Sequence, residues 1–494
     1  MSAAFPGLFA PPPKDPVDAA AVVLFREGRE GRETVLVRRS PSLSFAGGWH
    51  AFPGGRLSPA DRATAVPGLA GDDAALFACA VREVFEETGI LLAVGASGLP
   101  QGTLPAARRA LLDGKVAFPR FLLYHGLSLD PDRLTPAGRW LTPEHFPLRY
   151  DARLFLAEVE DSARAEIWPG ELTAGSFVPA VRALEAWRMG EMLLHPPNLN
   201  ALKVLARPGT LDLALLRSPA HRDGLLARRI EFQEGFFLAA LRTPTLPPAT
   251  HTNAWLVPEE KGGLAVVDPG ATDPAEQARL LALLEELAEE GRPPRAVWLT
   301  HAHPDHVGGV AAVCERFQIP VRAHPLAADR VRVPIEPALE GDRLGRFRVL
   351  ATPGHAREHL AFLDEATGAL LCGDMMSTLS TIVIDPPEGD MAEYLRQLSR
   401  LLDLAPRTLY PAHGPPVPDG VAQLGEVIRH RKAREEMVLA ALLDPGPLEA
   451  ITARAYSDTP EAFHPIASRS CLASLQKLLR EGRAKEEDGV WSRL

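Results

Sequence analysis

A run of alternating histidines, His301-Ala-His-Pro-Asp-His306, constrains this chain more than any other feature of its sequence. It follows an apolar stretch over residues 296–300 that is typical of a strand, and it precedes a predicted helix over residues 307–317. Because side chains alternate along an extended segment, His301 and His303 point the same way. Imidazole nitrogens and carboxylate oxygens are ligands that zinc prefers. The run therefore predicts a metal-binding loop at the end of a strand.

Three further candidate ligands follow at the ends of predicted strands. They are His355 in Thr-Pro-Gly-His, Asp374 in Cys-Gly-Asp, and His413 in Pro-Ala-His-Gly. The complete candidate set is His301, His303, Asp305, His306, His355, Asp374 and His413. Seven such groups in four loops suffice for two metal ions that share a carboxylate. The alternation of strands and helices around them favours an α/β domain.

These motifs, with the chain from about residue 229 to 418, resemble the metallo-β-lactamase superfamily. The resemblance implies an αββα sandwich in which two Zn²⁺ ions activate a bridging water. It implies one ion held by His301, His303 and His355. It implies a second ion held by Asp305, His306 and His413, with Asp374 bridging the two. Asp305 is also expected to be catalytic, by orienting the attacking water.

The C-terminal tail narrows the resemblance. Its run His430-Arg-Lys-Ala-Arg-Glu435 and the segments after it look like the lactamase-β-like endoribonuclease family, which ends in a small winged-helix-like cap. The implied long helix is 470–480 and the implied wing is 484–491. A local positive patch is predicted from Arg429, Arg431, Lys432 and Arg434, with a solvated helix face as the alternative. Single-stranded RNA is thus one candidate partner, and a thioester is the other, because a metal pair also polarises a carbonyl.

A second motif, Arg82-Glu-Val-Phe-Glu-Glu-Thr-Gly-Ile90, places Glu83, Glu86 and Glu87 on one face of a predicted helix. Three adjacent carboxylates repel one another, and a divalent cation that prefers oxygen ligands relieves the repulsion. With Phe52-Pro-Gly-Gly55 ahead of it, the motif resembles the Nudix box, and the likeness extends over residues 18–205. The resemblance implies a mixed-sheet Nudix fold that binds Mg²⁺ or Mn²⁺ through these glutamates, with Glu83 as a catalytic base.

The likeness also implies a substrate and its contacts. Together with the Trp140-Leu-Thr-Pro143 segment, the box is similar to the coenzyme-A diphosphatase branch, which favours a coenzyme A or nucleotide-like diphosphate. The expected substrate-binding residues are Arg39, Ser40, Gly54, Gly55 and Arg82. One departure is an insertion of thirteen residues before Arg82, and another is Ala74 where the family has a glutamate. We expect Asp72 or Asp73 to take over the structural role of that glutamate.

The chain is accordingly predicted to hold a flexible arm (1–17), a Nudix-like domain (18–206), a linker (207–228), a metallo-β-lactamase-like domain (229–420) and a winged-helix-like cap (421–494). The net charge of −10 argues against wholesale coating of nucleic acid. Four scattered cysteines without a CxxC pair favour the cytoplasm, and no apolar run predicts a membrane segment. The alternative function is a diphosphate-sensing module attached to a nuclease or an RNA-binding factor.

Local patterns give further predictions. We expect a helix over 72–89 capped by Asp72 or Asp73, a strand over 121–124, a helix over 177–189, and only short helices after Pro418. Asn253 is predicted to lie in a strand, with ordinary sheet packing favoured. Asp268 is a candidate for orienting a ligand histidine. Glu171 is weighed as a further acidic group of the Nudix site.

Overall fold

The structure, a computed structural model, describes residues 14–43, 46–146, 148–217 and 230–494, apart from the side chain of Lys261. Residues 1–13 of the predicted arm and residues 218–228 of the predicted linker lie outside the described part. The chain divides into two compact units, one formed by Pro13–Glu234 and the other containing Gly235–Leu494.

The first unit is built on a mixed sheet. Its strands are β1 (Val17–Gly28), β2 (Gly31–Arg39), β3 (His50–Ala51), β4 (Gly54–Arg56), β5 (Thr135–Leu141), β6 (Tyr150–Glu158) and β7 (Leu172–Pro179). The order is β3-β2-β1-β6-β5, with β4 paired to β1 and β7 paired to β2. Only the β1–β6 pair is parallel among these described pairings.

Helices cover both faces of this sheet. They are α1 (Pro59–Arg62), α2 (Gly71–Thr88), α3 (Thr103–Leu112), α4 (Phe118–Tyr124), α5 (Ala180–Arg188), α6 (Pro196–Leu205) and α7 (Leu213–Leu216). A further strand, β8 (Ile230–Gln233), packs near α5 and α6. Helix α2 and strand β1 share one hydrophobic cluster, and α5 and α6 pack with β1 in another. Because β1 is buried on both faces, its centre is continuously apolar rather than alternating.

Helix α2 carries the glutamate motif in its last turns. It ends where predicted, at Gly89, whose φ of 76° is a left-handed conformation that glycine adopts without strain. Its N-cap is Ala70, not Asp72 or Asp73, which instead lie in the first turn. Carboxylates there interact favourably with the positive end of the helix dipole.

Two predictions of local structure are wrong. The segment 121–124 is the end of helix α4, not a strand: Pro119 favours a helix start, and Phe118, Phe121 and Leu122 form a buried face at helical spacing. The segment 177–189 begins as the end of strand β7 and becomes helix α5 only after Pro179. Pairing of β7 with the buried strand β2 outweighs the helical spacing of the first residues.

The second unit contains two sheets. The first comprises β9 (Phe236–Arg242), β10 (His251–Pro258), β11 (Leu264–Val267), β12 (Pro294–Trp298), β13 (Val321–Ala323) and β14 (Ile335–Pro337), in the order β14-β13-β12-β11-β10-β9. The second comprises β15 (Arg343–Leu344), β16 (Phe347–Ala351), β17 (Leu360–Asp364), β18 (Ala369–Gly373) and β19 (Thr408–Pro411), paired in chain order. The helices beside them are α8 (Pro274–Glu289), α9 (Pro304–Val307), α10 (Val310–Phe317) and α11 (Met391–Asp403).

Aromatic side chains join the two sheets of the second unit. Trp255 of β10 meets Tyr410 of β19 edge-on, with ring centroids 5.0 Å apart. Trp298 of β12 lies 5.3 Å from both Phe347 and Phe362 of the other sheet. Helices α8 and α10 pack in a cluster with the first sheet, and α11 packs in a cluster with the second. The predicted fold class, with its αββα sandwich, is confirmed.

The C-terminal segment contains α12 (Gly420–Ala441), α13 (Leu448–Ala455), α14 (His464–Arg480), β20 (Ala484–Glu487) and β21 (Val490–Arg493). The expectation of only short helices is wrong, since α12 has 22 residues. Strands β20 and β21 form an antiparallel hairpin. Asp488 and Gly489 both have positive φ at its turn, which is the conformation that Asp-Gly hairpins favour. In the part of the chain that the structure describes, no helix is long and apolar enough to cross a membrane.

Candidate functional site

The seven candidate ligands of the second unit meet at one edge of its two sheets. His301 and His303 follow β12, while Asp305 and His306 lie on α9. The other three follow or link strands of the second sheet: His355, Asp374 and His413. All are buried except His303, which is half-buried. The sequence folds this way because strand ends of both sheets deliver short loops to the same edge.

Distances between the ligand atoms define two overlapping groups. His301 Nε2 and His355 Nε2 lie 2.9 and 3.0 Å from Nδ1 of His303. On the other side, His413 Nε2 lies 3.6 Å from Oδ2 of Asp305. Asp374 is 3.5 Å from His355 and 3.4 Å from His413, so its carboxylate faces both groups.

Candidate metal-binding triads within 4.8 Å are His301/His303/His355, His301/His306/Asp374 and Asp305/His306/His413. These triads support metal binding by the second unit. Among the residues that the structure describes, two candidate ligand atoms, Nε2 of His306 and Oδ1 of Asp374, are buried without a hydrogen-bond partner. A buried polar atom without a partner is costly, so both atoms fit the role of metal ligands.

The other ring nitrogen of each histidine is anchored by the protein. Nδ1 of His355 donates to the carbonyl of Val383 at 2.8 Å, and Nδ1 of His413 donates to the carbonyl of His251 at 3.0 Å. His303 is oriented the other way round, with its Nε2 3.5 Å from Glu388. Such partners fix the ring orientation and tautomer of a metal ligand.

Asp268, a residue that the sequence analysis singled out, anchors His306. Its Oδ2 lies 3.0 Å from Nδ1 of His306, and it also accepts from the backbone and the hydroxyl of Thr300. Asp268 adopts a positive φ of 51°, which aspartate tolerates better than most residues. The predicted contact of Asp268 with a candidate ligand histidine is present, and the role of that histidine as a ligand stays a prediction.

Asn253 does more than pack in the sheet. It lies in β10, and its amide donates to the carbonyls of Pro411 and Gly414 at 2.9 and 2.7 Å. These two residues flank His413, so the hydrogen bonds of Asn253 fix the backbone of the His413 loop. The strand assignment is confirmed, but the favoured interpretation of ordinary packing misses this contact.

Burial and charge oppose each other at this site. Although burial works in the opposite direction, the imidazoles of His413 and His306 hold the pKa of Asp374 well below its usual range. Burial likewise opposes the charge of His306, but Asp305 and Asp268 raise the pKa of its ring well above the usual value. By contrast, burial lowers the pKa of His355 to about 4. The site therefore favours carboxylate anions, and it keeps His355 neutral as a ligand requires.

Sequence reasoning missed two supporting residues. His359 is fully buried, and its Nε2 accepts from the backbone N–H of Asp374 at 3.1 Å. Its Nδ1 lies 2.8 Å from the hydroxyl of Thr352. Glu388, near His303, is paired with Arg330. A histidine four residues after His355 was the available signal for His359, whereas nothing local marks Glu388.

The metal-ligand cluster opens into a cleft of about 1710 Å³. His303, Asp305 and Asp374 line one part of it, and residues of α12 and α14 line another. Apolar side chains contribute much of the wall, among them Pro247, Val310, Ile382, Phe463 and Ile466.

The predicted basic patch on α12 is not a continuous surface. Arg431 is buried and donates to the carbonyl of Ile382. Arg434 forms two hydrogen bonds with Asp458 at 2.8 and 2.9 Å, and Arg429 pairs with Glu426. The patch prediction is wrong because the helical period turns part of the run towards the protein.

In the first unit, the three glutamates lie on one face of α2 beside β4. Oε2 of Glu87 accepts from the backbone N–H of Gly54 at 2.9 Å. Gly55 lies so close to Glu83 that a Cβ there would come within 2.5 Å of the carboxyl group. The lack of a side chain at Gly55 therefore lets the backbone approach this acidic face, whereas a Cβ at Gly54 would lie 2.4 Å from the carbonyl oxygen of Ala20 in β1.

Arg82 holds two of these carboxylates. Its Nη1 donates to Glu83 at 2.8 Å and to Glu86 at 3.2 Å. Its other nitrogens form a bidentate pair with Asp61 at 2.7 and 2.8 Å and reach the carbonyl of Arg56. Arg82 is 8% exposed, and its contacts position the glutamates, while its predicted contact with substrate stays a prediction.

Asp61, rather than Asp72 or Asp73, is the carboxylate from the inserted region that pairs with Arg82. Its side chain is fully buried, and it also accepts from Ser58 in a capping box at the start of α1. Asp72 instead pairs with the exposed Arg62. The Ser58-Pro-Ala-Asp61 pattern indicates a helix cap in the sequence. Its contact with Arg82 could not be predicted from the family spacing, because the insertion changes that spacing.

The acidic face favours protonated carboxyl groups when it carries no cation. Burial raises the pKa of Glu83 to about 7 and that of Glu87 to about 8. Burial also raises the pKa of Glu86. Arg39 partly offsets the shift of Glu87, and Glu171 adds to it, so both charges lie near the glutamates. Clustered carboxylates of this kind suit a divalent cation with oxygen ligands.

The remaining substrate-binding candidates lie around this face. The backbone N–H of Arg39 donates to Trp49, and that of Ser40 donates to the carbonyl of Glu171, both within β2 or just after it. The Ser40 hydroxyl contacts Ser42 at 2.8 Å. Gly54 contacts Glu87 directly, as described above.

Comparison with known proteins agrees with this division. The metallo-beta-lactamase superfamily model matches residues 247–413, the beta-lactamase associated winged helix domain matches 448–491, and the NUDIX domain matches 15–161. The chain is 29% identical to Beta-lactamase-like protein 2 homolog of Drosophila melanogaster, over 38% of this chain and 70% of that protein. It is 30% identical to a hydroxyacylglutathione hydrolase of Vibrio cholerae, over 35% of this chain and 66% of that protein.

Among solved structures, the chain resembles a NUDIX hydrolase from Alicyclobacillus acidocaldarius at 30% identity, covering 41% of this chain and 96% of that one, with a TM-score of 0.37. The chain therefore contains a NUDIX domain in its first unit and a metallo-beta-lactamase superfamily domain with its associated winged helix domain in its second, and these domains indicate a hydrolase.

Proposed function

We propose that the second unit hydrolyses a thioester at a binuclear zinc centre. We propose further that the first unit hydrolyses the diphosphate of a coenzyme A or nucleotide-like substrate with Mg²⁺ or Mn²⁺. The observation that carries the first proposal is the convergence of seven candidate ligand side chains, five of which line a partly apolar cleft. Acyl chains and thioesters are apolar enough to enter such a cleft.

The residues present fit two ions. His301, His303 and His355 would hold one, Asp305, His306 and His413 the other, and Asp374 would contact both. Imidazole and carboxylate donors suit zinc. When bound, such ions lower the pKa of water and polarise the oxygen of a scissile bond. The chain itself contributes fixed ring orientations, through Asp268, Val383 and His251.

Asp305 is the candidate catalytic group of this centre. Its carboxylate is buried 3.6 Å from His413 Nε2 and 3.9 Å from His306 Nε2. Burial works against the charge, but His306 and His413 lower the pKa of Asp305. An ionised carboxylate at this position can accept a proton from an attacking water and orient it.

The thioester is preferred over RNA on two grounds. The α12 arginines that would have bound phosphates are largely engaged within the protein, as Arg431 and Arg434 show. Similarity to hydroxyacylglutathione hydrolases also supports a thioester. RNA binding depends on free cations along a groove, which this helix offers poorly.

For the first unit, the acidic face supports the diphosphate proposal. Glu83, Glu86 and Glu87 would hold the cation, and Glu83, as a group of raised pKa, would serve as base. Arg39, whose charge lies near Glu87, and the adjacent Ser40 would contact the substrate. The pairing of Arg82 with Asp61 preserves the geometry of the glutamates despite the inserted residues.

Two variants of the full chain test both halves. Asp374→Asn is expected to abolish hydrolysis of acyl-coenzyme A thioesters and to leave diphosphate hydrolysis unchanged. A combined Glu86→Gln and Glu87→Gln variant is expected to do the reverse. The control is Asp403→Asn, which changes an exposed carboxylate of α11. Each variant is assayed with acyl-coenzyme A, coenzyme A, nucleoside diphosphates and a single-stranded RNA.

The outcomes separate the alternatives. Loss of RNA cleavage rather than thioester hydrolysis in Asp374→Asn would replace the proposed substrate of the second unit. Tight diphosphate binding without turnover in the wild type would make the first unit a sensing module. Loss of the same activity in both variants would refute two independent sites.

A further inference from the structure

A three-residue segment links the metal-ligand cluster to the C-terminal helices. The carbonyl of its middle residue, Val383, accepts from Nδ1 of His355 at 2.8 Å. On one side of it, the carbonyl of Ile382 accepts from the guanidinium of Arg431 on α12. On the other side, the backbone N–H of Ile384 donates to the hydroxyl of Ser470 on α14 at 3.0 Å. The acceptor that orients His355 is therefore bracketed by one contact from α12 and one from α14.

These contacts are buried. Arg431 and Ser470 are 5% and 6% exposed, and Ile384 is fully buried. Ala473, one turn after Ser470, packs in the same hydrophobic cluster as Ile382 and Ile384. A buried hydrogen bond whose loss leaves a polar backbone group without a partner fixes the position of that group more firmly than an exposed one.

The next residue of the loop provides a contrast. Asp385 pairs with Arg469 of α14 at 3.6 Å, but both side chains are about half exposed, at 50% and 48%. Exposed pairs of this kind contribute little to stability. Arg469 and Ser470 thus touch neighbouring residues of one loop from neighbouring positions of one helix, yet only Ser470 acts on buried backbone.

Arg431 also contacts Tyr394, which lies next to a second candidate ligand, Asp374. Its guanidinium lies 5.0 Å from the ring centroid of Tyr394, whose hydroxyl donates to the carbonyl of Met375 at 2.6 Å. Met375 directly follows Asp374. Gly354, which precedes His355, approaches the same tyrosine so closely that a Cβ would lie 2.4 Å from its Cα. Tyr394 therefore packs against the backbone beside His355 and Asp374, and its ring contacts the guanidinium of Arg431.

We infer that Arg431 and Ser470 are positioning residues of the metal centre, which hold the 382–384 segment so that His355 presents Nε2 to the ion. The C-terminal helices α12 and α14 are then a structural part of the metal site. The inference rests on the proposed zinc centre. Partners behind a ligand histidine commonly change metal affinity by about 10- to 100-fold when they are removed.

The test compares Ser470→Ala with Ser470→Thr, which keeps a hydroxyl, and with Arg469→Ala as the matched control. Zinc affinity of the full chain is measured by competition with a chromophoric chelator, and the cobalt-substituted protein is examined by visible absorption. Ser470→Ala is expected to weaken zinc binding about 10-fold and to change the cobalt spectrum. Ser470→Thr is expected to restore both, and Arg469→Ala to change neither.

Circular dichroism verifies the fold of each variant, and Arg431→Met, which risks unfolding, is used only as a second comparison. Unchanged zinc affinity and cobalt spectrum in Ser470→Ala would overturn the inference, even if the melting temperature fell. Absence of zinc binding by the wild type would instead overturn the proposed zinc centre itself, and the inference with it. The wild type thus decides the proposed function, and the variants decide the positioning role.

Discussion

Asp268 and His306 form a buried carboxylate–imidazole pair, with Oδ2 and Nδ1 3.0 Å apart. The same carboxylate binds the backbone N–H and hydroxyl of Thr300, so it cannot turn away from the histidine. His306 is thereby held with Nε2 facing Asp305 and Asp374. Pairing with a carboxylate also makes an imidazole a stronger metal ligand.

Replacing this carboxylate is expected to weaken the metal centre. Asp268→Asn keeps the shape but removes the charge that orients His306, so zinc affinity is expected to fall by about 10- to 100-fold. Chelator competition on the full chain measures the change, with the exposed Asp403→Asn as control. Equal zinc affinity in the two variants would show that Asp268 has no part in orienting the ligand.

The loop of His413 offers a prediction about stability. Asn253→Ala removes the donor to the buried carbonyls of Pro411 and Gly414, and Trp255 compensates at Pro411 only. We expect the free energy of unfolding to fall by about 1–3 kcal/mol, the cost of leaving a buried polar group without its partner. Urea unfolding provides the measurement. Thr243→Val, which removes a hydroxyl contact further along the same sheet, serves for comparison.

In the first unit, Asp61→Asn is expected to be strongly destabilising. It leaves the buried Arg82 cation without its bidentate partner, and breaking a buried pair from one side costs about 3–5 kcal/mol. Magnesium binding is expected to weaken as well, because Arg82 holds Glu83 and Glu86. Asp72→Asn, at an exposed pair, is expected to leave urea unfolding unchanged. Similar unfolding curves for the two variants would contradict the structural role of Asp61.

Much of this site could be read from the sequence because its ligands stand in short, ordered motifs at strand ends, as in the run from His301 to His306. The hydrogen bonds that position the candidate ligands could not be predicted from the sequence. Ser470 lies 86 residues from Ile384 in the chain, and its hydroxyl resembles any other on a helix. Asp61 lies 21 residues from Arg82, across an insertion that displaces the family pattern. Such pairings depend on tertiary packing, which no local spacing encodes.

The acidic face of α2 predicts an unusual dependence of stability on pH. Burial raises the pKa of Glu83 to about 7 and of Glu87 to about 8, so the folded, cation-free chain keeps protons that the unfolded chain has released. Stability from these groups is therefore lost as the pH rises from about 4.5 through 7 for Glu83 and through 8 for Glu87, by at most about 1.4 kcal/mol per group and pH unit, and part of this loss falls between pH 6 and 8. His50 and His195, whose pKa values burial lowers to about 4, stay neutral over this range.

Urea unfolding in chelator is compared between the wild type and a Glu83→Gln, Glu87→Gln variant, whose amides imitate the protonated groups. The wild type is expected to lose stability relative to the variant as the pH rises, and added Mg²⁺ is expected to reverse the difference at pH 8.5, because the cation binds only the ionised carboxylates. Parallel pH profiles, with no effect of Mg²⁺, would mean that these glutamates neither hold protons nor bind a cation.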